Sequence, residues 1–426
     1  MGTIKKLFKN AYSFSVISKC ISVVVGFLFT IFQSRYLGSE IKGQIAAVNS
    51  IVSISSVVLG FGIYQAYPYY KRKGYTNLFP VFMRIALLFL ALYTGLSAAA
   101  VLLFRLPAKY LAVFIITPLI TYNIIISYIT LIEEPLKKSM VDVCANLLEM
   151  LLLIVLWILA RPSFLIGVVI ITFKDFVKAI YFTAMWRRQI HAPADPIGPW
   201  IPRLVRFGFF PMLLMLMTTL NYRVDVLMLN ERVTDAAVGI YSVGVLLAER
   251  IWMIPDALKG VMESHLAKGK DARETAYVIR MCNSACLVVA LFIILLGKPF
   301  MDLAFGPEYD GAYTVTLILL AGVFSMNYFK LITSYNIVMG KQAASVLMLG
   351  AGVVVNIVAN LILIPRMGIN GAGLASVISY TICSALFILY FRTVSGIGIR
   401  QILLMNRTDL SRLKERLGKR KKGNEA

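Results

Sequence analysis

Apolar stretches of about twenty residues recur from Tyr12 to Phe391, separated by short breaks rich in Gly, Pro, Lys and Arg. At roughly 1.5 Å of rise per residue, that length matches a hydrocarbon core of ~30 Å. The pattern predicts spans over Tyr12–Phe32, Gln44–Tyr67, Val81–Phe104, Tyr110–Ile132, Val141–Leu159 and Phe164–Trp186. A second set follows over Val205–Met228, Val238–Leu258, Val278–Leu296, Ala312–Ile332, Ala343–Ile364 and Gly371–Phe391. Barrel strands would show segments of about ten residues alternating with period two, and the chain shows none. The expectation is an all-α membrane protein of about twelve transmembrane helices, because a backbone in lipid must satisfy its own hydrogen bonds.

Composition agrees: of 426 residues, 59% are hydrophobic and 15% charged, well below the ~25% charged of soluble domains. Cations alternate between the connections. One set of loops holds Lys5, Lys6 and Lys9, then Lys71, Arg72 and Lys73, then Lys137 and Lys138, Arg187 and Arg188, Lys268, Lys270 and Arg273, Lys341, and a basic tail. The opposite set has scattered cations only: Arg35, Lys42, Arg105, Lys109, Arg161, Arg232, Lys298 and Arg366. The positive-inside rule then predicts both termini in the cytoplasm and an even number of spans. The first span reads as an uncleaved signal anchor, since it is too long for a signal peptide and many spans follow.

The formal net charge of +22 lies mostly in those loops and the tail, where topology and anionic lipid account for it and nucleic acid is not required. Between Ile399 and Lys422, Leu403, Leu410, Leu413 and Leu417 share one helical face among basic residues, the pattern of an interfacial helix on the inner leaflet. Cys20, Cys144, Cys282, Cys286 and Cys383 all fall inside spans and read as packing residues. No metal set and no cofactor motif is visible, and His191 and His265 sit in connections without an evident partner.

A Pro-rich connection containing Pro193, Pro196, Pro199 and Pro202 divides the spans six and six. The expected domains are a six-helix lobe over 1–190, a linker over 191–203, a second six-helix lobe over 204–392 and a basic amphipathic tail over 393–426. An internal echo agrees. Leu37-Gly38-Ser39-Glu40 leads through Gly43 into the second span, and Arg232-Val233-Thr234-Asp235 leads through Gly239 into the eighth. Parallel repeats of this kind are related by an axis along the membrane normal.

Within the spans, Lys174 and Lys178 lie one helical turn apart at about mid-depth, with Asp175 between them. An ionised residue there is costly unless it meets water, a partner or a substrate. The other deep charges are Glu149, Glu249 and Arg250, with Lys19 in the first span and Arg223 and Asp225 in the seventh. Arg84, Asp142, Arg280 and Lys330 lie near inner ends and read as snorkelling charges. Lys19, Lys174, Lys178, Arg223 and Arg250 form a candidate cationic surface for an anionic ligand. Glu149, Asp175, Asp225 and Glu249 are candidates for charge pairing or ion coupling. If every cation is paired, the set is structural.

Several motifs resemble polysaccharide flippases of the multidrug/oligosaccharidyl-lipid/polysaccharide (MOP) exporter superfamily, the Wzx-like lipid-linked oligosaccharide flippases. They are the stretch Asn360–Ser376 with Pro365, Gly368 and Gly371; Phe305-Gly306-Pro307-Glu308-Tyr309; Asn221-Tyr222-Arg223-Val224-Asp225 followed by Val238-Gly239-Ile240-Tyr241; and Arg35-Tyr36-Leu37-Gly38 before Gly43. Read physically, Pro365 is expected to end a helix and Gly368 to turn the chain into the last span. Pro118 and Pro211 are expected to bend theirs.

The resemblance implies a MATE-like fold of two lobes that open alternately to each side of a bacterial plasma (inner) membrane. It implies a flippase whose cargo is an undecaprenyl-pyrophosphate-linked oligosaccharide, held in a central cavity by the five cations. Polysaccharide polymerase and glycosyltransferases are its implied partners, beside anionic membrane lipids. One alternative is an ion-coupled exporter of cationic drugs from the same superfamily; such transporters usually use a carboxylate in the first span, where this chain has Lys19 and no acid. A peptidoglycan-precursor flippase is another, although that branch usually has about fourteen spans. A membrane polymerase or ligase is disfavoured, because the outer loops are short and no catalytic constellation is visible.

Overall fold

The computed structural model describes residues 11–409 apart from 76, 105–106, 194, 268–271 and 406–408, and only the backbone at 11–17, 261, 264, 265 and 267. These residues are nearly all helical. The elements are α1 (Ala11–Leu59), α2 (Tyr67–Arg72), α3 (Leu78–Leu103), α4 (Ala108–Glu133), α5 (Pro135–Leu159), α6 (Phe164–Met185) and α7 (Arg187–Ile190). After them come α8 (Trp200–Asn230), α9 (Asp235–Glu249), α10 (Met253–Ala267), α11 (Ala272–Ala304), α12 (Ala312–Val338) and α13 (Gln342–Ser395). Among the described residues, 9 helices are long and apolar enough to cross a membrane.

Two of those nine are helical hairpins, so each supplies two spans. In α1 the backbone leaves helical geometry at Gly38 (φ 73°), and Lys42 Nζ reaches back to Gln33 Oε1 at 2.6 Å. In α13 the break is Gly368 (φ 55°), and Ser379 Oγ donates to the Gly352 carbonyl at 2.8 Å. A straight helix would hold that second pair about 40 Å apart. Both breaks combine a positive φ with ψ of 171° and −131°, a region of backbone conformation open essentially to glycine alone. With α6, whose charged residues are Lys174, Asp175 and Lys178, the twelve predicted spans are accounted for.

Four expectations need correction. The second span stops at Leu59 rather than Tyr67, because Phe61 (φ 47°) and Gly62 (φ 60°) turn the chain. Pro365 does not end its helix; helical geometry continues to Gly368, where the hairpin turns. The linker ends at Pro199, since Pro202 falls in the first turn of α8, where a missing N–H leaves no helical bond unmade. The inner-end charges are partnered rather than simply snorkelling. Arg84 donates to the Ile190 and Ala192 carbonyls at 3.0 and 2.6 Å. Arg280 grips Asp409 through two nitrogens at 2.6 and 2.7 Å. Lys330 pairs with Asp256 at 2.8 Å. Asp142 lies between two lysines, described below. Helices α4 and α8 run through Pro118 and Pro211 without interruption. The predicted interfacial helix lies largely outside the described residues.

By packing, the chain forms two compact units. The first contains residues up to Ser242 together with Ala304–Tyr309, and the second contains Val243–Leu303 and the residues from Asp310 onward. This division falls within α9, whereas the lobes expected from sequence divide at 191–203. In the first unit, α1 packs against α4, α5, α6 and α8. Its main core joins Phe82, Ile85, Tyr122, Ile125, Phe182 and Leu204. The outward face of α3 carries exposed Leu88, Leu92 and Leu96 at four-residue spacing, a lipid-facing stripe.

A backbone crossing joins α9 to the second arm of α1, whereas α8 approaches the first half at Gly208, where a methyl group would lie 2.2 Å from the Phe61 carbonyl oxygen. A methyl group at Gly43 would lie 1.7 Å from the Asp235 carbonyl oxygen, and one at Gly239 would lie 2.0 Å from that of Ser39. The relation is reciprocal, as a local two-fold axis requires. It joins the two glycines of the internal echo. In the second unit, Gly322 crosses Val377 with 2.8 Å for an added methyl, and Trp252 Nε1 donates to the Val323 carbonyl at 2.9 Å. The segment after α13 lies along α11, where Asn283 donates to the Leu403 carbonyl at 2.9 Å.

Two alanine substitutions separate the crossing from ordinary helix chemistry. Gly43→Ala forces backbone against backbone, so it is expected to destabilise by about 3 kcal/mol, the upper end of overpacking costs. Gly26→Ala meets nothing within 4 Å and is expected to be neutral or stabilising by up to about 1 kcal/mol. Thermal unfolding in detergent checks both; equal midpoints for the two variants would refute a tight crossing.

Candidate functional site

Helices α5 and α6 meet antiparallel, and sequence spacing places their charges in register. On α5, Lys138, Asp142 and Glu149 lie four and seven residues apart, so all three share one face. On α6, Lys174 and Lys178 are one turn apart and run past the α5 face in the opposite sense. Local signals begin both helices: Pro135 opens α5, and Ser163, extended at φ −152°, caps α6 by accepting from the Ile166 N–H at 3.3 Å.

The structure brings these charges into a ladder. Lys174 Nζ lies 3.1 Å from Glu149 Oε2. Lys178 Nζ lies 3.0 Å from Asp142 Oδ1, and the other oxygen of Asp142 accepts from Lys138. Asp175 faces α4, where Asn123 Nδ2 donates to its carbonyl oxygen at 2.6 Å and to Oδ1 at 3.3 Å. Three lysines therefore balance three carboxylates. Sequence reasoning left Lys138, Asp142 and Asn123 out of the site; the same-face spacing of Lys138, Asp142 and Glu149 was the signal that would have included the first two.

Exposure divides the ladder into a buried and an open side. The Glu149 side chain is 4% exposed, whereas that of Lys174 is 31% exposed. The acid is sealed between helices and holds the lysine, while the ammonium keeps an open side. The arrangement suits exchange of an anion: an incoming phosphate can share Lys174 and Lys178 without either leaving its carboxylate. Lysine binds such a ligand as a point charge, and two one turn apart present two such charges.

The remaining predicted residues lie elsewhere. Lys19 is exposed on the first arm of α1. Arg223 and Asp225 are on α8, where buried Asp225 accepts from its neighbour Val226 N–H at 2.8 Å and from the Tyr241 hydroxyl. Asp225 therefore ties α8 to α9. Glu249 and Arg250 belong to the second unit, at the point where α9 gives way to a 3-10 turn over Arg250–Trp252. Near that turn Lys330 stacks 4.8 Å from the centre of the Trp252 ring while pairing with Asp256. Among the described residues, no group of three or more His, Cys, Asp and Glu side chains could hold a metal ion.

Removing one partner of the ladder leaves the other charge uncompensated. Lys174→Ala is expected to destabilise by about 2–3 kcal/mol, less than the ~3–5 kcal/mol of a fully buried pair because the lysine is partly exposed. Adding Glu149→Gln should recover most of that loss, since the orphaned carboxylate is removed. A double variant no more stable than Lys174→Ala in thermal unfolding would show that the pair carries little coupling.

No family model matches the chain, and no curated protein matches its sequence. Solved structures do match along nearly its full length. The lipid II flippase MurJ in an inward closed conformation aligns with TM-score 0.70 and 14% identity, over 91% of this chain and 89% of that one. An inward-facing multidrug resistance MATE family transporter of the MOP superfamily aligns with TM-score 0.64 and 15% identity, over 90% and 98%. A MOP superfamily transporter from Pyrococcus furiosus aligns with TM-score 0.61 and 14% identity, over 91% and 96%. The chain has the fold of the MOP superfamily transporters.

Proposed function

We propose that this chain is a flippase that carries an undecaprenyl-pyrophosphate-linked oligosaccharide across a bacterial plasma membrane. Transport proceeds by alternating access of two six-helix lobes with both termini in the cytoplasm. The observation that carries the proposal is the ladder between α5 and α6, with two mid-span lysines on adjacent turns and the first of them nearly one-third open. A pyrophosphate needs cationic neutralisation inside the bilayer, polar surroundings for its sugars and lipid access for its tail. Lys174 and Lys178 supply the first contact. Glu149 and Asp142 hold the lysines in place between cargo-binding events. Anionic lipids attract the basic connections and tail, and a polymerase and glycosyltransferases act before and after translocation.

One observation favours the ion-coupled drug exporter as the rival. The ladder is balanced, and Glu149 is a buried membrane carboxylate of the type that carries a proton or cation. Against that reading, the described part of the first arm of α1 holds Lys19 and no acid.

Reconstitution in liposomes with a lipid-pyrophosphate-linked oligosaccharide distinguishes the two, with flipping scored as loss of the sugar to an external glycosidase. Wild type is expected to flip the lipid. Lys174→Ala/Lys178→Ala combined with Glu149→Gln/Asp142→Asn, which removes charges in pairs, is expected to lower the rate at least tenfold while leaving the fold intact. Wild-type rates in that variant would refute the lysine site. Ion-driven efflux of a cationic dye without lipid movement would establish the exporter instead.

A further inference from the structure

The Gly43–Gly239 crossing is flanked by two polar contacts that are equivalents in the internal repeat. Ser39 stands to Gly43 as Asp235 stands to Gly239, each four residues before its glycine and each at the start of the arm that carries it. The partners of Ser39 and Asp235 come from matching places as well. Lys109 lies two residues after Pro107 and directly before Tyr110 at the start of α4, the fourth span. Glu308 follows Pro307 and precedes Tyr309 just ahead of α12, the tenth span.

The partners are exchanged. Lys109, from the first half of the chain, donates to Asp235 Oδ1 at 3.0 Å and to Asn230 Oδ1 at 2.6 Å, both in the second half. Glu308, from the second half, accepts from the Ser39 N–H at 2.6 Å and its hydroxyl at 2.7 Å. Gln44 Nε2 adds a 3.0 Å bond to Asp235 Oδ2. Tyr309 donates to the Ser34 carbonyl at 3.0 Å; burial, with the adjacent Glu308 carboxylate, pushes its phenol above the ordinary value, so the hydroxyl stays a donor. All of these residues belong to the first unit.

We propose that Lys109 with Asp235 and Glu308 with Ser39 are two repeat-related latches that hold the Gly43–Gly239 end of the transporter closed. Transport requires their release. The inference rests on the alternating-access reading above. A structural crossing alone needs only the glycines. The exchanged contacts are different in kind: each is a charged side chain reaching across the crossing to the first turn of the opposite arm. The charged members are solvated, with Lys109 and Asp235 23% and 28% exposed and Glu308 exposed beside buried Ser39, so each latch can open without burying a bare charge. The chemistries differ as well. One latch is an ion pair, and the other is a carboxylate on a helix N-terminus, where the backbone dipole favours the negative charge.

Spin labels at Glu40→Cys and Arg232→Cys report the crossing, in nanodiscs and in a background with exposed Cys20 and Cys144 replaced by serine. Pulsed electron spin resonance is expected to give one short distance for the parent. Lys109→Met and Glu308→Gln should each add a longer population, larger in the double variant. Lys109→Asp/Asp235→Lys should return the short distance, a rescue that a loss of packing would not show. An unchanged distance distribution in the double variant, with unfolding midpoint retained, would overturn the proposal. Glu308→Gln preserves shape, so it carries the test if Lys109→Met folds poorly. The distances need no cargo, so opening without lipid flipping would refute the flippase reading and leave the latches standing.

Discussion

Helix α9 is held to the first half of the chain at a place where two helical backbones touch without side chains between them. At Gly43 and Gly239 the carbonyls of Asp235 and Ser39 occupy the space a Cβ would need. Within a membrane, where apolar burial does not drive helices together, such close approach allows dispersion and short polar contacts to do so. The crossing places the start of α9 against the second arm of α1. Once that is set, Asp235 comes within reach of Lys109 and Gln44, and Ser39 within reach of Glu308.

The charge ladder between α5 and α6 follows a different logic. Its charges are far from the crossing in sequence and are balanced in number: Lys174 meets Glu149, Lys138 and Lys178 share Asp142, and Asp175 is held by Asn123. Balanced pairing suits a site that must be stable when empty. A surplus of cations would repel itself in a low dielectric, whereas lysines held by carboxylates remain in position for an arriving phosphate. The second unit uses the same device at Arg280–Asp409 and Lys330–Asp256.

Much of this was legible in the chain. The span count, the turn at Gly368 and the depth of Lys174 and Lys178 all follow from local patterns. The echo around Gly43 and Gly239 was visible as a repeat, though not as a contact. Some boundaries were not legible. Phe61 takes a left-handed conformation that bulky residues rarely adopt, so hydropathy carried the second span past it. Pro365 looked like a terminator, yet the chain remains helical for another turn and bends at Gly368.

Sequence alone determined the class of protein, the number of spans and which charges must find partners, because those depend on length, apolarity and the cost of an ion in lipid. Only the tertiary structure decided which partner each charge received. Lys178 meets Asp142 rather than Asp175, and Lys174 meets Glu149, because the rotation and axial offset of α5 against α6 set those distances. Likewise, two glycines separated by 196 positions (43 to 239) became one contact only when their arms crossed. Hydropathy is a property of one segment, whereas pairing and close approach are properties of two.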